Sequence, residues 1–205
     1  MPARQDTQAA ALDKPPELQF SHVGLTVSDL SKMEDFYTRV LGFTVTDRGF
    51  VESLNIDLLF LTLDPYEHHQ VAMVTGRPEG LPQNVLNPMF GAVINQISFR
   101  LKSVTDLRAL YQRLETEGVT GMQPASHGAA LSVYAPDPEG NILEFFTDMP
   151  YYVDQPFFVP IDISLPDEDI MQQNEAMCRK AKGFRSFADF RADMATKMDK
   201  PLRVQ

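Results

Sequence analysis

The feature that most limits the fold is an internal repeat. FSHVGLTV followed by SDLSKMEDFYTRVLGF, residues 20–43, reappears in outline as VINQISFRL followed by SVTDLRALYQRLETEG, residues 93–101 and 103–118. A shift of 74 residues places His22 on Gln96, Leu30 on Val104 and Tyr37 on Tyr111. In both copies an alternating run predicts a strand and a 3.6-residue periodicity predicts a helix; the first helix is entered through Ser28 or Asp29 and left through Gly42. Further strands are expected around 43–49, 56–63 and 69–74, and again around 130–135 and 141–147. A segment of about sixty residues with this content cannot bury both faces of its own sheet, so two such segments must curl against each other. The expected class is α+β, two tandem βαβββ modules in one domain.

The boundaries follow from composition. Residues 1–17, ending in Pro15 and Pro16, read as a flexible lead-in, and 18–149 as the domain, with modules at 18–76 and 92–149. TGRPEGLPQNVLNPMFGA links the modules. Residues 150–205 form a tail that begins extended and proline-punctuated and becomes helical, with Met171, Met177, Phe184, Phe187 and Phe190 as apolar positions in need of a surface. That surface is the tail's own domain or a neighbouring subunit, and a homo-oligomer is expected.

Charge and cysteine usage exclude several partners. The formal net charge of −10 disfavours a nucleic-acid backbone or an anionic membrane. Cys178 is the only cysteine, which rules out an intrachain disulfide framework and a thiolate metal cluster. No run approaches the length of a membrane span, and the first residues lack the apolar core of a signal peptide, so a cytoplasmic location is expected.

The residue that calls for chemistry is Glu144, a carboxylate between Leu143 and Phe145 in HGAALSVYAPDPEGNILEFF. Burying it is costly without a partner, hydrogen bonds or a metal. His22 shares its strand parity with Gly24 and Thr26, on the less apolar face, where an isolated histidine is by default a satisfied surface or core residue. If the modules face each other, His22 and Glu144 enter one cleft. One imidazole and one carboxylate are two thirds of the facial set of non-haem Fe(II) oxygenases, and Gln96 offers an amide oxygen at the repeat equivalent of His22.

FSHVGLTVSDLSKMEDFYTRVLGF resembles the opening module of the vicinal oxygen chelate superfamily, which includes glyoxalase I, bleomycin-resistance proteins and extradiol dioxygenases. HGAALSVYAPDPEGNILE is similar to the extradiol dioxygenase signature, and the resemblance covers residues 20–147. It implies one vicinal oxygen chelate domain with His22, Gln96 and Glu144 at the metal positions, Gln96 standing where extradiol enzymes have histidine. It further implies that His69 handles protons, that His127 contacts a substrate oxygen and that Tyr134 lies near the bound diol, with His68 in support. The implied activity is Fe(II)-dependent ring cleavage of a small aromatic molecule by molecular oxygen. Mn, Zn or Ni, or no metal at all, are the alternatives, as are a redox-neutral isomerase, lyase or epimerase and a non-catalytic binding protein. Gln70, at the repeat equivalent of Glu144, argues against a glyoxalase. Asp137, Pro138 and Gly140 are expected to form the turn that aims the last strand. Phe20, Phe60, Phe99, Tyr134 and Phe146 are candidates to line a planar pocket.

Overall fold

The computed structural model describes residues 19–78 and 94–202; the expected lead-in and most of the link lie outside them. The first module runs β1 (Val23–Val27), α1 (Leu30–Asp35), β2 (Thr44–Val51), β3 (Ile56–Thr62) and β4 (Val71–Thr75). The second runs β5 (Ile97–Arg100), α2 (Val104–Thr116), β6 (Gln123–Ser126), β7 (Ala130–Pro136) and β8 (Ile142–Asp148). Both are therefore βαβββ. Asp29 caps α1 by accepting the Lys32 N–H at 2.9 Å, and Ser103 caps α2 through the Asp106 N–H. A π-helical turn, Phe36–Val40, extends α1, and Gly42 at φ +83° then reverses the chain where a side chain would be strained.

Each module folds into its own sheet with its first strand parallel to its last: order β1-β4-β3-β2 in one, and β6-β7-β8-β5 within the other. Strand register corrects one expectation. Gly24 pairs with Ala72 and the equivalent Ser98 pairs with Glu144, so Ala72, and not Gln70, occupies the place of Glu144 in the first module. The hairpin from Leu61 to its partner Val71 spans ten positions, whereas that from Ala135 to its partner Leu143 spans eight. The constant shift of 74 thus fails across that turn.

The helix-bearing faces of both sheets share one core. Leu25, Val27, Leu61 and Met73 from the first sheet meet Leu131, Val133, Leu143 and Phe145 from the second, with Met33, Tyr37, Leu107 and Leu114 from the helices between them. Burial of each such side chain contributes about 1.5–3 kcal/mol. Because side chains alternate along a strand, the opposite faces carry the residues singled out for chemistry.

The β7–β8 turn bolts the modules together. Asp137 accepts the Glu139 and Asn141 N–H groups at 3.0 and 2.9 Å, with Gly140 at φ +82°, as a turn-forming role requires. It also accepts the Tyr37 hydroxyl at 3.3 Å from the first module. Glu139, whose role the sequence did not reveal, reaches the start of α1, where it accepts the Ser28 N–H, Ser28 hydroxyl and Asp29 N–H at 2.6, 2.8 and 2.8 Å, and pairs with Arg77 at 2.7 Å.

The tail folds onto the second module through β9 (Tyr151–Tyr152), β10 (Val159–Pro160, antiparallel to β6), α3 (Asp167–Cys178), β11 (Arg185–Ser186) and α4 (Phe187–Met198). The buried stripe of α3 is Ile170, Asn174 and Cys178; Met171 is 42% exposed and faces solvent, contrary to its apolar character. Asn174 is central because it bonds the Ser126 hydroxyl, the Gly128 carbonyl and the Tyr151 hydroxyl. Among the described residues no helix is long and apolar enough to cross a membrane.

Candidate functional site

Strand register builds the site around Glu144. Ser98 on β5 and Tyr134 on β7 flank Glu144 in one row across the sheet, and Gln96 and Ser132 lie two residues from them on the same face. Both oxygens of the buried carboxylate accept hydrogen bonds. Oε1 accepts the Ser132 and Tyr134 hydroxyls, each at 2.8 Å, and Oε2 accepts the Ser98 hydroxyl at 2.6 Å and the Gln96 amide at 2.7 Å. Four neutral donors therefore replace its lost hydration, which is how this apolar strand tolerates a carboxylate. Burial, then the hydrogen bond and charge of Glu144, pushes the Tyr134 phenol well above its ordinary value and keeps it protonated as a donor.

His127 extends this network. Its Nε2 lies 2.7 Å from the Tyr134 hydroxyl and 3.7 Å from Glu144 Oε1. The chain Glu144–Tyr134–His127 thus crosses β8, β7 and the β6–β7 turn, with an acid at one end and an imidazole at the other.

A second cluster forms at the ends of β1 and β4. The His22 and His69 rings pack with centroids 4.2 Å apart, and the His69 ring also contacts Phe60 at 4.8 Å. His68 bridges Asp47 through Nε2 at 2.8 Å and His69 through Nδ1 at 2.8 Å. Burial first, then the neighbouring His22 and His68, holds the His69 imidazole below the usual histidine range, so neutral pH leaves it a base.

The structure thus brings Gln96, Glu144, Tyr134 and His127 together, and separately joins His22 to His69. Among the described residues no hydrogen bond or ring contact links the two groups. Between β1 and β5 lies a cavity of about 570 Å³. It is lined by Ser21 and Val23, the chain neighbours of His22, and by Gln96 and Ser98, which hold Glu144. Phe20 and Phe99 also line it, whereas Phe60, Tyr134 and Phe146 do not. The donor set suits a divalent cation in part: a buried carboxylate held by neutral groups stands beside an amide whose rotation presents an oxygen in place of its N–H. His22 touches neither of these, and its place among the ligands rests on the resemblance. Sequence reasoning missed Ser98 and Ser132. Each is two residues along the chain from a singled-out residue, Gln96 or Tyr134, and so shares its face, which is the signal that finds them.

Residues 19–145 match the family model of the Glyoxalase/Bleomycin resistance protein/Dioxygenase superfamily. Biphenyl-2,3-diol 1,2-dioxygenase 2 of Rhodococcus globerulus is 33% identical over 130 residues, which are 63% of this chain and 63% of that protein. Biphenyl-2,3-diol 1,2-dioxygenase 3 of the same organism is 31% identical over the same shares. The match to each relative therefore spans less than two thirds of its length. Lactoylglutathione lyase of Pseudomonas putida is 54% identical over 48 residues, 22% of this chain and 27% of that protein. A glyoxylase/bleomycin resistance protein/dioxygenase domain from Frankia sp. EAN1pec superposes with a TM-score of 0.54 at 22% identity, over 65% of this chain and 100% of that one. That likeness shows a shared fold.

Proposed function

We propose that this chain, which belongs to the glyoxalase/bleomycin resistance protein/dioxygenase superfamily, is an extradiol-type dioxygenase that opens the ring of a catecholic or related vicinal-oxygen aromatic substrate. The observation that carries this reading is the continuous path Glu144–Tyr134–His127, an anionic anchor joined through a protonated phenol to an imidazole. The similarity to two proteins named as biphenyl-2,3-diol dioxygenases supports it.

Glu144 and Gln96, with His22, would hold Fe(II), or Mn, Zn or Ni in its stead. Bound there, such an ion supplies a charge that acidifies a coordinated hydroxyl and, if redox-active, a route for electrons between a diol and molecular oxygen. The protein's own groups do the rest. Tyr134 and His127 meet a substrate oxygen with a donor and an imidazole nitrogen, which fixes the ring's orientation. His69, neutral at working pH, accepts a proton from a substrate hydroxyl and returns it to product. Phe20 and Phe99 line the adjoining cavity beside Gln96 and Ser98.

Oxygen uptake by anaerobically purified, Fe(II)-reconstituted protein against a panel of catechols, including biphenyl-2,3-diol, tests the reading. Uptake matched by a ring-cleavage chromophore and lost in Glu144→Ala is expected; silence at confirmed iron occupancy overturns it for these substrates. Gln96 favours one second reading, a redox-neutral isomerase, lyase or epimerase, because an amide oxygen suits a harder ion than iron. Product formed without oxygen consumption distinguishes it. Saturable binding without any turnover would instead mark a non-catalytic binding protein.

A further inference from the structure

The segment that follows the second module closes on His127, and it lies beyond residue 145, where the family match ends. The Gln155 side chain uses all of its hydrogen-bonding groups there. Its Nε2 donates to the His127 carbonyl at 2.8 Å and to the Val153 carbonyl at 3.2 Å, and its Oε1 accepts the Phe157 N–H at 3.0 Å. The bend from 153 to 157 is thereby wrapped around one amide, and it presents the Phe157 carbonyl to His127 Nδ1 at 3.1 Å. The result is a closed circuit, from the His127 backbone through Gln155 and Phe157 and back to the His127 ring. The Phe158 ring packs edge-on against that imidazole with centroids 5.4 Å apart.

We propose that Gln155 is a positioning residue that fixes the tautomer of His127 through the Phe157 carbonyl. A carbonyl oxygen only accepts, so His127 Nδ1 carries the hydrogen, and in the neutral ring the lone pair stands on Nε2. The other tautomer would set a nitrogen lone pair against a carbonyl lone pair. The Nε2 lone pair then faces the Tyr134 hydroxyl, whose single proton has two acceptors, Nε2 and Glu144 Oε1. A hydroxyl of a bound ligand arriving at Nε2 releases the Tyr134 proton wholly to Glu144. The tail is thus a working wall of the site, because without its carbonyl the Tyr134 hydroxyl, donating to Glu144, draws the hydrogen to Nε2 and favours the other tautomer. The catalytic consequence rests on the reading of His127 as an active-site residue; the tautomer assignment does not.

The test uses the full chain, free of metal and labelled with 15N-histidine, in long-range proton–nitrogen correlation spectra at mildly alkaline pH. Four histidines give four patterns, and His127→Gln identifies the relevant one. The wild type is expected to show Nδ1–H as the dominant His127 tautomer, and Gln155→Ala a mixture with its Nε2 shift moved accordingly. Nε2–H in the wild type, or an unchanged single tautomer in Gln155→Ala, overturns the proposal. If Gln155→Ala fails to fold, Gln155→Glu retains the acceptor for the Phe157 N–H and removes the amide donors, and the same loss of a single tautomer is required of it. In the iron-loaded protein Gln155→Ala should lower kcat by about tenfold, the ratio set by one lost hydrogen bond, with KM changed far less. A kcat unchanged, or a loss confined to KM, also overturns the positioning role. A wild type that turns over no catechol refutes the dioxygenase reading while leaving the tautomer measurement to decide its own case.

Discussion

Replacing Glu139 by alanine tests whether the β7–β8 turn holds the modules together. Its side chain is 4% exposed, and the substitution removes the acceptor for two backbone N–H groups, for the Ser28 hydroxyl and for Arg77. Ser28 and Asp29 lie at the surface, so water re-solvates part of what is lost, and each orphaned N–H costs about 1 kcal/mol, the low end of the usual range. The ion pair is more protected, with Arg77 22% exposed, and its loss adds about 1–2 kcal/mol. The expected destabilisation is about 3–4 kcal/mol, a fall in Tm of roughly 6–16 °C for a chain of this size. Glu139→Gln keeps an acceptor and loses the charge, so it should cost about 1–2 kcal/mol. Burial raises the Glu139 carboxyl pKa, but the Asp29 N–H, the Ser28 hydroxyl, Arg77 and the Ser28 N–H together outweigh burial and hold it below the ordinary value. The charge therefore stabilises fully above the unfolded pKa of about 4.3 and loses its effect as pH falls through the folded value. Urea unfolding followed by circular dichroism at pH 7 and at pH 3.5 measures both effects. A Glu139→Ala penalty below 1 kcal/mol at pH 7, or a Glu139→Gln penalty that grows on acidification, refutes the reasoning.

Asn174→Leu should destabilise by about 2–4 kcal/mol despite adding apolar surface, because the Ser126 hydroxyl, Gly128 carbonyl and Tyr151 hydroxyl lose their buried partner. Thermal unfolding that shows equal or greater stability would mean the tail docks by hydrophobic contact alone. Tyr37→Phe removes one donor from Asp137, which keeps the Asn141 side-chain amide at 2.9 Å, so a loss of about 1 kcal/mol is expected in the same assay. A penalty above 3 kcal/mol would assign the Tyr37 hydroxyl a larger part in joining the modules than its single bond allows.

How far the sequence disclosed this arrangement depended on whether a residue's role is periodic. The two βαβββ modules were legible because alternation and helical spacing act through burial, and burial follows hydropathy. The Asp-Pro-x-Gly turn was legible from conformational preference. Asn174 was not, since hydropathy assigns the inner face of α3 to methionines and the structure gives it to an amide chosen by three buried polar groups. β6 was missed because QPAS carries no apolar–polar alternation, and the strands of the tail because two residues are too few to show any. Glu139 reads as a charged turn residue until the start of α1 is placed beside it, which only tertiary structure does. For the candidate site, Glu144 stood out as a misfit carboxylate, but its relation to Ser98 and Ser132 is one of register. The two-residue difference between hairpins, which moved the equivalent of Glu144 from Gln70 to Ala72, is likewise invisible to a constant shift.

That register exposes a division of labour between the two copies. Ser98, Glu144 and Tyr134 form a hydrogen-bonded row across the second sheet, and the equivalent row in the first sheet is Gly24, Ala72 and Phe60. Of the four donors around Glu144, Ser98, Tyr134 and Ser132 have Gly24, Phe60 and Leu58 as counterparts and only Gln96 has a donor counterpart, His22, so the first sheet supports a carboxylate at this position poorly. Ala72→Glu, which restores the symmetry of the repeat, should therefore destabilise the protein by about 1–3 kcal/mol at neutral pH, the penalty of partial burial without hydrogen bonds. Desolvation would raise the new carboxyl's pKa in the folded state, so protonation relieves the penalty, and the gap to wild type should narrow as pH falls through that raised value. Urea unfolding across pH 4–8 checks both the sign and the trend. A neutral or stabilising Ala72→Glu would show that the first sheet can solvate an acid without a row of hydroxyls, and the argument that Ser98, Ser132, Tyr134 and Gln96 are what make Glu144 possible would fail with it.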